Sequence, residues 1–179
     1  MLISEKAASV IGYSISTSLP GPQKYHYRNR NPILRCLVDQ CIGDPDWNGR
    51  FGTEKDLGNE VVKALEERRI QWPGSDLIDE KQWIAKMKTA LEFYMNYSRS
   101  PKQMEEFEYL LLELAANFLK RKIKLYSFNA ENPTVPKVFN SKGSSKFVLL
   151  GCTSILEQNF FISLQANQRA RKRDKCKIS

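Results

Sequence analysis

The spacing of apolar residues changes near residue 120, and this change limits the fold more than any other feature of the chain. Before it, apolar residues recur at three- and four-residue spacing, which is typical of helices that bury one face. After it, they form short runs between turn residues, which is typical of strands. The pattern predicts helices at about 32–43, 55–69, 80–97 and 102–119, and strands at about 122–128, 137–139, 146–151 and 159–165. Helices followed by strands predict an α+β domain, with helices packed on a small central sheet in a three-layer, α/β/α-like arrangement.

The first helix has the clearest start and end. Asn31 is a favoured N-cap residue, and Pro32 suits the first helical position because its missing N–H would be unpaired there in any case. Gly43 is followed by turn residues and ends the helix. Its apolar stripe predicts burial and consists of Ile33, Leu34, Leu37, Val38, Cys41 and Ile42.

The segment from Asn29 to Gln40 (N-R-N-P-I-L-R-C-L-V-D-Q) resembles the first core helix of the ovarian tumour (OTU) family of cysteine deubiquitinases. That family reads Asp-Gly-Asn-Cys, two apolar residues, Arg, a small residue, Leu and often Ala-Asp-Gln. Two further segments resemble its second helix (Leu57–Leu65) and its Glu-Leu helix running into the central strand (Leu112–Tyr126). The resemblance spans residues 23–165 and implies an OTU-like cysteine protease fold.

The residues that would carry the family's chemistry differ in this chain. Asn29, Arg30 and Pro32 stand where the family has aspartate, glycine and the nucleophilic cysteine. On the late strand, Phe160 stands at the histidine position and Ile162 at a position that often carries an acid. Since nucleophile, base and orienting group are all replaced, the resemblance implies a pseudoenzyme.

A cysteine hydrolase with a displaced site is the weaker alternative. Cys36 and Cys41 are the nearest thiols, and His26 is the only histidine that could serve as a base. Cys36 is predicted to lie a turn inside the helix, away from the N-terminal amides that favour a thiolate, so we expect both cysteines in the core. With one histidine and no Cys-x-x-Cys pair, the sequence predicts no metal site, and we expect no cofactor.

The resemblance implies a protein-binding or scaffolding module whose partner is ubiquitin or a ubiquitin-like protein. Its surface would include residues 29–32, the late strand, and the second and third helices. An adaptor for an unrelated protein is the alternative. Trp47 and Phe51 follow the first helix and either contact a partner or pack in the core, and the sequence leaves both open. The candidate binding residues are Asn31, Trp47, Phe51, Phe160 and Phe161.

The end of the chain is strongly basic. The net charge is +8, and residues 166–179 hold six basic residues and one acidic residue, or +5. A solvated tail is the plain interpretation. Nucleic-acid binding would use Arg169, Arg171, Lys172 and Arg173. The last four residues, Cys176 to Ser179, also fit a prenylation signal beside a polybasic segment, which would bring the chain to a membrane surface if Ser179 is the natural end.

Composition and length suggest one domain with additions at both ends. A chain of 179 residues with 41% hydrophobic and 27% charged residues is ordinary for a globular protein. We expect a leader at 1–22, the OTU-like domain at 23–165 and a basic flexible tail at 166–179. Scattered cysteines and a start unlike a signal peptide predict an intracellular protein, cytoplasmic unless its tail directs it to the nucleus or a membrane.

Overall fold

Four helices and six strands make up the part of the chain described by the computed structural model, namely residues 13–15, 32–70, 79–96, 100–101, 105–139, 144–155 and 158–166. The helices are α1 (Pro32–Ile42), α2 (Glu54–Glu66), α3 (Glu80–Asn96) and α4 (Glu105–Leu119). The strands are β1 (Tyr13–Ile15), β2 (Ser100–Pro101), β3 (Lys122–Ser127), β4 (Lys137–Phe139), β5 (Phe147–Ile155) and β6 (Gln158–Ala166). The predicted α+β class is confirmed.

The strands form one sheet in the order β1-β6-β5-β3-β4. β3 and β5 are parallel, and the other paired strands are antiparallel. Both β1 and β2 pair with β6 along the edge that β5 leaves open: β1 with its last residues and β2 with its first. Every residue of β6 therefore has a strand partner, and Gln158 and Asn159 have one on each side.

The bounds of the predicted elements agree with the structure to within a few residues for all four helices and for β3, β4 and β6. β5 was expected to end at residue 151 but continues to Ile155, so Cys152 lies within a strand and not at its end. Ser100 and Pro101, between the predicted third and fourth helices, form a short strand that pairs with β6. Residues 24–27, whose sequence also favours a short edge strand, lie outside the described residues.

The buried apolar residues of all four helices belong to one core on a single face of the sheet, whereas Ile42, predicted to be buried, is 40% exposed at the end of α1. That face contributes, among others, Ile123, Leu125, Val148, Leu150 and Phe139 to one continuous core. α4 supplies the largest share of fully buried side chains, as its apolar sequence predicted. The expected three-layer arrangement is not formed by the described helices, because none of their buried residues belongs to the cluster on the opposite face. None of the four described helices is both long and apolar enough to cross a membrane.

The opposite face of the sheet carries a small second core. Tyr126 and Leu164 are buried there, and Phe128, Leu149 and Ile162 pack against them. Gly151 makes this packing feasible, since a Cβ atom at that position would come within 2.6 Å of the Phe128 ring. The turn after β3 thus folds back over the sheet, covering the half of this face nearest β6.

Candidate functional site

The side chain of Gln40 fixes α1 to the sheet at the point where β5 and β6 separate. Its Oε1 accepts a hydrogen bond from the N–H of Leu149 at 3.2 Å. Its Nε2 donates to the carbonyl oxygen of Leu164 at 2.6 Å and to the hydroxyl of Ser163 at 2.7 Å. The described β5–β6 pairing stops one residue short of Leu149 and Leu164. The side-chain amide of Gln40 therefore replaces the backbone hydrogen bonds that the next residue pair of the β5–β6 ladder would make.

The direction of α1 follows from a second contact. Cys36, one turn before Gln40, lies near enough to Cys152 for that thiol to contribute to raising its pKa, and Cys152 pairs with Phe161 of β6. α1 therefore runs in the same direction as β6. The helix begins at Pro32, about 6 Å before Cys36. Two residues of β6 cover about the same distance, so the first turn of α1 lies beside Asn159, at the end of the sheet where β6 begins.

The alternation of side chains along β6 divides the predicted site residues between the two faces of the sheet. Phe160 and Ile162 lie on the face opposite α1, since Ile162 packs in the second core. The residues of β6 that face the helices are Asn159, Phe161 and Ser163, of which Phe161 packs on the main core. The structure therefore brings Phe161, and not Phe160, to the same face as α1.

A polar cluster occupies the same end of the sheet. We call it the Glu108 cluster, and it consists of Glu108, Asn129, Thr153, Ser154 and Asn159. Glu108 of α4 is completely buried, and its Oε2 lies 3.5 Å from the amide nitrogen of Asn159. The hydroxyl of Ser154 donates to Asn159 Oδ1 at 2.5 Å. Asn129 Oδ1 accepts from the N–H of Ser154 at 2.6 Å and from the hydroxyl of Thr153 at 2.9 Å. The Ser154 hydroxyl is thus bonded to an amide, which is not a base, so this arrangement does not activate it as a nucleophile.

Sequence reasoning missed Glu108 and Asn159. A signal for Glu108 was present, because it stands on the apolar stripe of α4, four residues before the buried Leu112. A carboxylate at such a position is rarely buried without a reason. No comparable signal marked Asn159, whose partner is 51 residues away in the sequence.

The two cysteines of α1 lie in the core, as predicted. Cys36 is 7% exposed and Cys41 is 4% exposed. Burial, more than the charges of nearby residues, raises the pKa of the Cys36 thiol far above its usual value, and raises that of Cys41 to about 12. Both are therefore protonated near neutral pH and lack the thiolate that a nucleophile or metal ligand needs.

Trp47 and Phe51 pack against each other and against Phe118. Phe51 is 7% exposed. The half-buried Trp47 ring lies 5.7 Å from that of Phe51 and 5.4 Å from that of Phe118, and its Nε1 donates to the carbonyl of Leu119. Phe51 is too buried to contact a partner without rearrangement. The guanidinium carbon of Arg50 lies over the Trp47 ring, 4.9 Å from its centre.

A buried arginine holds the loop between α1 and α2 in place. Arg121, 5% exposed, forms two hydrogen bonds to the carboxylate of Asp44, at 2.7 and 2.8 Å, and one to Asp46. Lys146 also pairs with Asp46 at 2.7 Å. Hydrogen bonding to Arg121 is the main effect that lowers the pKa of Asp44, and hydrogen bonds from Lys146 and Arg121 lower that of Asp46. This network lies at the opposite end of the sheet from the Glu108 cluster and stabilises the loop that carries Trp47.

Several predicted residues lie outside the described part of the chain. They are Asn29, Arg30, Asn31, His26, Arg169, Arg171, Lys172, Arg173 and Cys176. Pro32 is described as the first residue of α1. Within the described ranges, no group of three His, Cys, Asp or Glu side chains is arranged to hold a metal ion.

Comparison with known proteins adds no family to these observations. No protein-family model matches the chain, and a search of curated proteins finds no match.

Proposed function

We propose that this chain is a catalytically inactive OTU-like domain that acts as a protein-binding module, with ubiquitin or a ubiquitin-like protein as the first candidate partner. The observation that carries the proposal is the composition of the sheet end where α1 begins. A proline starts the helix, and Asn159 and Phe161 are the nearest residues of β6 that face it. A cysteine protease of the resembled family needs a thiolate and an imidazole at these places.

The state of the thiols supports the same proposal. A nucleophilic cysteine needs a lowered pKa and access to substrate. Cys36 and Cys41 have the opposite properties, since burial raises the pKa of both. Cys152 is half-buried within β5. Alkylation mapped by mass spectrometry should therefore leave Cys36 and Cys41 unmodified until denaturant is added.

The surface around the Glu108 cluster suits a protein partner. The turn after β3 contacts β5 through Asn129, which accepts hydrogen bonds from Thr153 and the exposed Ser154, and the half-buried Phe160 pairs with Thr153. Ala130, the next residue of this turn, is exposed. Apolar and aromatic groups within a polar rim are the usual composition of a protein interface. The first turn of α1 borders this region, which is where the OTU resemblance would place the partner's C-terminal segment.

The activity test combines hydrolysis of a fluorogenic ubiquitin substrate with reaction against an electrophilic ubiquitin probe. We expect neither turnover nor an adduct, with an active deubiquitinase of the same family as the positive control. An adduct would contradict the proposal. Its loss in Cys36→Ser or in Cys41→Ser would then identify the displaced nucleophile.

The binding test is a titration of isotope-labelled ubiquitin observed by NMR. Ala130→Arg changes an exposed position near the Glu108 cluster, and Asn48→Arg makes the same addition of charge at an exposed position near the opposite end of the sheet. If ubiquitin binds where we propose, Ala130→Arg weakens the shifts and Asn48→Arg does not. Absence of shifts at millimolar ubiquitin would exclude this partner and leave the adaptor for an unrelated protein.

A further inference from the structure

The three longest strands of the sheet, β3, β5 and β6, and the short β4 differ in charge from the rest of the chain. β3, β4, β5 and β6 contain three lysines and no aspartate or glutamate. The lysines are Lys122, Lys124 and Lys137, all on the two strands farthest from β6. The sheet is therefore cationic at one side and carries no acidic residue in these strands.

Two of these lysines lie on the face opposite the helices, together with exposed apolar groups. The pairing of β3 with β4 and β5 brings Lys122, Lys124, Val138 and Phe147 onto one face. Phe147 is 47% exposed and Val138 is 43% exposed. We call these four residues the basic sheet face. Phe128 and its neighbours cover only the half of this side nearer β6.

The geometry of the basic sheet face combines positive charge with an aromatic ring. The ammonium of Lys124 lies 4.0 Å from the centre of the Phe147 ring. Lys122 is the direct neighbour of Phe147 on the adjacent strand and lies about 7 Å along β3 from Lys124. Among the ion pairs of the described residues, none involves Lys122 or Lys124. Within the part of the chain that the structure describes, no acidic side chain therefore neutralises these two cations.

We infer that the basic sheet face binds single-stranded nucleic acid. Lysines on a strand can follow a phosphate backbone, and an exposed ring offers a surface on which a base can stack. An acidic peptide would use the lysines but gain little from the ring, so the exposed Phe147 favours nucleic acid. This function is separate from the proposed protein partner and uses a different part of the sheet. The basic sheet face lies on β3, β4 and the start of β5, whereas Phe160 lies near the start of β6 and pairs with the end of β5.

The test measures binding of a fluorescein-labelled oligouridine of about 12 nucleotides to the full-length chain by fluorescence anisotropy, over a series of salt concentrations. Phe147→Leu keeps an apolar side chain and removes the ring, and we expect affinity to fall by about 5-fold to 100-fold. Lys122→Gln combined with Lys124→Gln should reduce the slope of log affinity against log salt by about 1.4. Circular dichroism and Tm check that each variant is folded.

The matched control is Lys63→Gln combined with Lys86→Gln, which removes the same charge from exposed positions on α2 and α3. We expect it to leave binding nearly unchanged. An equal loss of oligouridine affinity in this control would show that total charge drives binding and would overturn the inference.

Two further outcomes would overturn it. One is binding that depends only on the basic tail. In that case Arg171→Gln combined with Arg173→Gln would abolish oligouridine binding, and the sheet variants would bind as tightly as the wild type. The other is binding of a labelled polyglutamate peptide in preference to the oligouridine, which would assign the face to an acidic protein.

Discussion

The hydrogen bonds of Gln40 provide the most direct test of how α1 is held on the sheet. Replacing Gln40 with leucine removes three hydrogen bonds, to Leu149, Ser163 and Leu164, while keeping a side chain of similar size. The leucine leaves the Leu149 N–H and the Leu164 carbonyl without the partner that replaces the β-ladder there.

The expected cost follows from the number and surroundings of these bonds. A hydrogen bond contributes about 0.5–1.5 kcal/mol net, and an unsatisfied group away from water costs about 1–3 kcal/mol. All three bonds of Gln40 are partly buried, so water can replace some of the loss. We therefore expect Gln40→Leu to lower the free energy of unfolding by about 2–4 kcal/mol, or Tm by about 4–16 °C.

Urea unfolding measures the global effect, and hydrogen exchange at Leu149 measures the local one. The amide of Leu149 should exchange much faster in Gln40→Leu, relative to amides in the middle of β5. Gln82→Leu, the same change at an exposed position of α3, serves as the control and should alter the free energy of unfolding by less than about 0.5 kcal/mol.

Two results would refute the reasoning. A Gln40→Leu variant as stable as Gln82→Leu would mean that the amide does not hold β5 and β6 together. Unchanged protection of the Leu149 amide would mean that its N–H finds another acceptor.

Three further predictions follow from the ion pairs and the second core. Arg121→Lys keeps the charge but loses the two parallel bonds to Asp44, and urea unfolding should show a loss of about 1–3 kcal/mol; an unchanged midpoint would contradict this. Because Arg121 holds the pKa of Asp44 below its unfolded value, its stabilisation is complete above about pH 4 and is lost as the pH falls through the folded-state pKa. Unfolding measured between about pH 3 and 7 should therefore show the difference between wild type and Asp44→Asn narrowing in acid, and a constant difference would argue against the pair. Gly151→Ala should cost about 1–3 kcal/mol by displacing Phe128, and the penalty should shrink in the Phe128→Leu background, which a double-mutant cycle measures.

The positions of the helices and of most strands could be predicted because they depend on local periodicity. The stripe of α1 and the N-cap and proline at its start are signals within one or two turns of chain. The confirmed burial of Cys36 and Cys41 follows from the same stripe. The length of β5 was less predictable, since its last residues pair with β6 and carry no apolar pattern of their own.

The candidate site was predicted only in part. The sequence indicated that the start of α1 and the late strand would matter, and the register of α1 on β6 brings these segments to the same end of the sheet. Which of Phe160 and Phe161 faces the helix was not predictable, because the order of residues alone does not fix the face of the sheet on which a side chain lies. The OTU resemblance itself stays a prediction, and the ubiquitin titration is its most direct test.

The amino-acid sequence by itself determined the order and type of the four helices and of β3 to β6, the burial of the α1 thiols and the proline at the start of α1, because each depends on residues close together in the chain. Only the tertiary structure decided the contacts over long separations: Glu108 with Asn159, Arg121 with Asp44, and Gln40 between two strands. It also decided which lysines share a face with Phe147. These pairings depend on the register of strands and the direction of a helix, and no local pattern of residues specifies either.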